Sequence, residues 1–273
     1  MNKRKNLIDI LLWLASVVSM IGIMILSSRL FEENNVELLI EFTIIAIVTL
    51  IYLYLISGKK TFSYLGNQTG YAIRLLFPTL IFSIFFMLLG VLSVFLEKPD
   101  LNPNWIRDLL IAAASMFLVG VYEEGCFRAC ACDALLPALK KWKHPFFLTA
   151  MISGLLFGYV HVVSVDFSDL QQVLQFILKI VNLLVYGATY LLVYWKTRNL
   201  LALAIVHGLN DFIPDFLNQI FLFQIDDSGT YVTGDVGTTV VYSIQLVVGI
   251  ICLIHVYRRV NKDIDYKKTL QEW

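Results

Sequence analysis

The chain has 273 residues, of which 58% are hydrophobic and only 15% charged, with a mean hydropathy of +0.74. That balance excludes an ordinary soluble domain, and equal numbers of basic and acidic residues, 21 each, remove the field that would draw the protein to nucleic acid. Four cysteines, Cys126, Cys130, Cys132 and Cys252, lack the paired C-x-x-C spacing of a zinc ribbon, and three fall in one apolar stretch, so they read as small buried hydrophobes.

The chain opens on Lys3-Arg4-Lys5 and an apolar run from Leu7 to Leu26. The run is longer than a signal-peptide core and no small-residue cleavage site follows, so it reads as a retained first membrane helix. Crossing a bilayer takes roughly 20 apolar residues. About eight stretches approach that length: 7–29, 38–57, 72–96, 106–136, 145–163, 174–195, 199–222 and 238–257. No long linker or repeat interrupts them. The expected fold is all-α: one polytopic membrane bundle over residues 1–273, with a motif-bearing core at about 106–222 and a basic tail at 258–273.

Lysine and arginine collect at alternate connections: Lys59-Lys60, Lys140-Lys141 with Lys143, Lys196 with Arg198, and the tail from Arg258 to Lys268, together with the N-terminus. The remaining connections are acidic or nearly neutral, with Glu32, Glu33 and Glu37, then Asp166 and Asp169, then Asp226, Asp227 and Asp235. The loop from Phe223 to Gly237 reads as solvated. By the positive-inside rule every basic connection is cytoplasmic, and an even number of spans puts both termini there, in a multi-pass cell-membrane protein.

Ionisable groups inside spans cost several kcal/mol by insertion scales and are functional candidates. Three clusters break the apolar pattern. Glu123-Glu124 with Arg128 lies in the fourth span, where Glu124 and Arg128 share a face at i, i+4 and Glu123 points about 100° away. Phe157 and His161 share a face in the fifth, beside a Gly154-x-x-x-Gly158 surface suited to a close helix neighbour. His207-Gly208-Leu209-Asn210-Asp211 lies in the seventh, where Asp211 can orient the imidazole four residues before it. At 1.5 Å per residue, Glu123 lies about 21 Å from Pro137 and His161 about 24 Å from Pro145, so the two meet at similar depth across a hairpin. His207, about 12 Å past Asn199, is expected shallower unless its helix starts further inside.

The order E-E-x-x-x-R, F-x-x-x-H, H-x-x-x-(polar) on successive spans resembles the CPBP or Abi intramembrane proteases, which include type II CAAX prenyl endopeptidases and bacteriocin self-immunity proteins. The matching motifs cover residues 123–211. The resemblance implies that Glu123 activates water, His161 positions it, His207 and the residue four positions on stabilise the oxyanion, and Glu124 with Arg128 holds the helix. Asp211 stands where many members carry asparagine, so Asp211 orients His207 or Asn210 supplies the donor. It implies hydrolysis of a membrane-tethered or prenylated peptide in or near the cytoplasmic half of the bilayer.

For cofactors, a metal-free mechanism is favoured, with Zn2+ held by Glu123, His161 and His207 as the alternative. Two other functions compete: a non-catalytic scaffold or bacteriocin immunity factor using the same cavity, and a transporter. Transport is disfavoured because the first half of the chain carries no matching polar clusters.

Overall fold

Capping side chains set where the apolar runs become helices. Asn34 accepts from the amides of Val36 and Glu37, Asp169 from Gln171, Asn199 from Ala202 and Asp235 from Thr238, each satisfying donors that a helix start leaves free. The computed structural model describes residues 3–30, 34–162, 165–222 and 232–273. Glu32, Glu33, Asp226 and Asp227 lie outside the described residues.

The helices are α1 (Lys3–Leu30), α2 (Asn35–Ser57), α3 (Lys59–Phe62), α4 (Thr69–Leu76), α5 (Leu80–Glu97), α6 (Trp105–Glu124), α7 (Ala131–Leu139), α8 (Pro145–Val160), α9 (Leu170–Thr197), α10 (Leu200–Ile220), α11 (Val236–Asp263) and α12 (Tyr266–Glu272). Among the described residues no named strand occurs, and only an isolated bridge pairs Leu101 with Phe221. The third expected span is two helices joined by a 3-10 turn, Phe77–Thr79, where Pro78 cannot donate to the helical ladder. The fourth is interrupted by a π-helical turn, Gly125–Cys130, which joins α6 to α7 and carries part of the first motif.

Seven helices among the described residues are long and apolar enough to cross a membrane. The remaining expected span, the fifth at 145–163, is a shorter apolar helix of 16 residues that ends at Val160. Outward apolar residues such as Val18, Ile47, Phe95 and Ile251 are more than half exposed, which suits a lipid-facing surface.

The basic connections gather at one end of the bundle. There Asn6 reaches the Pro137 carbonyl at 3.4 Å, Thr61 reaches Asp133 at 3.0 Å, Asn199 reaches the Asn67 carbonyl at 2.7 Å, and Lys196 donates to the Asp263 carbonyl. Arg198 stacks on Trp273, 3.7 Å from its centroid. The main core lies at this end, built on fully buried Leu53, Leu76, Cys130, Leu136, Tyr190, Leu191, Leu203 and Val256.

Away from that end the helices form two groups. One pairs α6 with α10 and with α2, and adds α1 and α5; the other packs α9 against α8 and α11. The π turn, α4 and α7 link the groups near the core. Glycine lets each group pack closely. A Cβ at Gly208 would lie 2.7 Å from the Met116 carbonyl oxygen, and one at Gly120 would clash with the Ala204 carbonyl, so α6 and α10 meet backbone to backbone. The Gly154 and Gly158 pair does the same for α8 against Leu184 and Ile180 of α9, as the spacing suggests.

The cysteines match their sequence reading as well. All four are free and buried.

Candidate active site

The three polar clusters converge where the two helix groups meet. Glu124 is fully buried at the end of α6 and its carboxylate is shared. Oε2 lies 3.1 Å from Arg128 Nε, the i, i+4 pair expected from the spacing, and Oε1 lies 2.6 Å from His207 Nδ1. Arg128 is equally buried and lays its guanidinium over the Phe157 ring, 4.2 Å from the centroid. Gly187 on α9 makes room for it, since a Cβ there would sit 3.4 Å from Nη2. One ion pair thereby ties the π turn to α8, α9 and α10. A buried charge of this kind persists only when it is paired.

Glu123 faces the other way, into the junction. Its Oε1 lies 3.4 Å from His161 Nε2 and its Oε2 lies 3.3 Å from His207 Nε2. The two motif glutamates therefore bracket His207, Glu124 on Nδ1 and Glu123 on Nε2. Asp211 Oδ2 also reaches His207 Nε2, at 3.4 Å. His161 caps the end of α8, with Nδ1 2.7 Å from the Phe157 carbonyl oxygen. A carbonyl only accepts, so Nδ1 carries the proton and Nε2 is the nitrogen turned to Glu123. The His161 ring packs 4.3 Å from that of Phe157, which in turn meets Phe127 at 5.0 Å.

His207 is not shallower than the other two clusters. Its helix begins inside the protein: the capping Asn199 is fully buried and bonded to the Asn67 carbonyl and to Thr69 Oγ1. The recessed start carries His207 to the level of Glu123.

Asn210 points elsewhere. Its Nδ2 donates to the hydroxyls of Tyr186 and Tyr190 and to Thr79 Oγ1, and Ser83 donates to its Oδ1 at 3.0 Å. The amide is thus committed to a lattice between α5, α9 and α10, while Asp211, one residue on, turns toward the imidazole. Tyr186 and Tyr190 themselves wall His207, their ring centroids 6.1 and 6.0 Å away. Sequence reasoning passed over both tyrosines. Their i, i+4 spacing was the available signal, and the structure stacks their rings and sets their hydroxyls 2.8 Å apart.

Glu123, His161 and His207 make pairwise contacts at ion-pair distance, and among the described residues no group of three or more His, Cys, Asp or Glu side chains is arranged to hold a metal ion. The arrangement does offer a carboxylate with an imidazole beside each oxygen, the parts needed to place and deprotonate a water next to a polarised carbonyl.

Residues 104–213 match the family model described as type II CAAX prenyl endopeptidase Rce1-like, the family group that the three motifs resemble. The matched stretch runs from the start of α6 to the middle of α10 and contains Glu123, Glu124, Arg128, Phe157, His161, His207, Asn210 and Asp211. No curated protein and no solved structure matches the chain.

Proposed function

We propose that the protein is an intramembrane endopeptidase of the type II CAAX-protease kind, hydrolysing a peptide bond with a water activated by Glu123. The observation that carries this reading is the position of the Glu123 carboxylate between His161 Nε2 and His207 Nε2, at 3.4 and 3.3 Å. Glu123 is the base: water held between its carboxylate and His161 Nε2 loses a proton to Glu123 as its oxygen attacks the scissile carbonyl carbon. His207 keeps a proton on Nδ1 through Glu124, and in its cationic form donates from Nε2 to the oxyanion that develops on the carbonyl. Charge balance favours that form. Glu123, Glu124 and Asp211 supply three carboxylates around His207, whereas among the described residues one of them, Glu124, pairs with a permanent cation, Arg128.

Asp211 is then a positioning residue that holds the imidazole, and Asn210 belongs to the scaffold. The protonated Glu123 returns its proton to the leaving amine as the C–N bond breaks, which restores the carboxylate.

The test is cleavage of a panel of quenched fluorescent peptides, prenylated and unlipidated, by the purified protein in lipid. Wild type cleaves at least one peptide, Glu123→Gln cleaves none while remaining folded, and a chelator leaves the rate unchanged. Activity that survives Glu123→Gln removes the assignment. Loss on chelation that zinc restores replaces the mechanism with a metal-assisted one. Tight peptide binding without cleavage favours the scaffold or immunity reading instead.

A further inference from the structure

We infer that the last turns of α11 hold the headgroup of an anionic phospholipid from the leaflet at the basic end of the bundle. The site is separate from the polar junction and stands whether or not the protein cleaves peptides.

The helix has one face for the protein and one for the membrane. Cys252, Val256 and Val260 are buried against the bundle. Ile251, Ile254, His255, Arg258, Arg259 and Lys262 lie on the outer side and line a groove of about 480 Å³. The groove changes character along its length. Its inner part is apolar, with Ile251 62% and Ile254 45% exposed, whereas Arg258, Arg259 and Lys262 give its outer part permanent positive charge. With 28 residues, α11 is about 42 Å long, more than the ~30 Å of hydrocarbon, and its apolar run ends near Tyr257. From Arg258 to Lys262 the helix rises about 6 Å further, close to the thickness of a headgroup layer. A phospholipid has the same two parts in the same order: acyl chain alongside Ile251 and Ile254, phosphate beside the cations.

These cations lack a partner within the protein. Elsewhere at this end basic side chains are engaged: Lys196 donates to the Asp263 carbonyl and Arg198 stacks on Trp273. None of the ion pairs among the described residues includes Arg258, Arg259 or Lys262. The nearest carboxylate in sequence, Asp263, accepts from the Tyr71 hydroxyl at 3.1 Å instead. Lys262 stands at i+4 from Arg258 and at i+3 from Arg259, spacings at which like charges repel. An anion set among them removes that repulsion, and each cation close to an anionic leaflet is worth roughly a fivefold gain in binding. Because the inner half of the groove lies in hydrocarbon and the outer half among headgroups, a lipid reaches both halves at once, which a free phosphate or an acidic peptide does not.

The experiment is native mass spectrometry of the full chain released from detergent, titrated with phosphatidylglycerol or with phosphatidylcholine of the same acyl chains. Wild type is expected to hold phosphatidylglycerol roughly 100-fold more tightly, three cations at about fivefold each. Arg258→Gln/Arg259→Gln/Lys262→Gln is expected to lose most of that preference. Lys140→Gln/Lys141→Gln/Lys143→Gln, which removes the same charge from another connection at this end, is expected to keep it. All six side chains are exposed, so both variants should melt where wild type does. Should the first variant fail to fold, Arg258→Gln alone is read for a loss of about fivefold. Equal affinity of wild type for the two lipids overturns the inference. So does an equal loss in the two triple variants, which means diffuse surface charge and no site. Displacement of the lipid by inorganic phosphate or by a polyglutamate peptide at matching concentration overturns it too, and assigns the groove to a soluble anion or an acidic partner.

Discussion

The two ends of the bundle are built for different purposes. At the basic end Leu136, Leu191, Val193, Leu203 and Val256 are fully buried and the polar groups are bonded across helices, so each side chain is held by its neighbours. At the other end α10 beyond Gly208 buries only Leu217, and Glu123, His161 and Asp211 meet ionisable partners, carboxylate against imidazole. At a packed end, substitution weakens the fold because it opens a void or strands a polar group. On the proposed function, the end that holds carboxylates and histidines together gives up stability for chemistry, and there substitution removes activity while leaving the fold.

That contrast can be broken at five points. Glu123→Gln is expected to lower turnover by roughly 10²–10⁴-fold, the usual worth of a general base, with the melting temperature nearly unchanged. Arg128→Met stands on the packed side of the same site and should cost about 3–5 kcal/mol in equilibrium unfolding, because Glu124 is left as an uncompensated buried charge. Adding Glu124→Leu should recover part of that loss, and a single variant as stable as wild type would dissolve the clasp. Leu136→Ala, in the core and away from the chemistry, should cost about 2–5 kcal/mol while the rate per folded molecule is kept.

Asn210→Leu sharpens the boundary between the regions. Removing the amide that donates to the Tyr186 and Tyr190 hydroxyls should cost about 1–3 kcal/mol, with a smaller loss of rate than Glu123→Gln; equal losses would move Asn210 into the catalytic set. Tyr159→Ser, on the outward face of α8 and 68% exposed, should change stability by no more than about 0.5 kcal/mol. A larger effect would mean that this face is covered in the working protein.

Most of the fold was legible in the sequence because a bilayer permits few solutions: long apolar runs must be helices, and Asn34, Asp169, Asn199 and Asp235 mark where four of them start. The breaks at Phe77–Thr79 and Gly125–Cys130 were less legible. Pro78 signals the first. The π turn has no residue signature of its own and arises where α2 and α8 pack on the motif, with Gly125 pressed against Thr49. Hydropathy makes α8 slightly longer than its 16 residues, because Val162 and its neighbours continue the apolar run past the point where the helix stops.

In the site, the i, i+4 pairing of Glu124 with Arg128 and the shared depth of Glu123 and His161 followed from helix geometry, which is local and therefore written in the spacing. The position of His207 depended on a recessed helix start at Asn199, held by Asn67 and Thr69 from a distant part of the chain. Which of Asn210 and Asp211 faces the imidazole depended on the rotation of α10 against α6, set by Gly120 and Gly208. Composition and periodicity determined that this chain is a helical membrane bundle with ionisable groups inside it, since burial of apolar runs and the cost of buried charge act residue by residue. Only the tertiary structure decided that both motif glutamates bracket one histidine and that Asp211, not Asn210, joins them, because those facts belong to contacts between helices far apart in sequence.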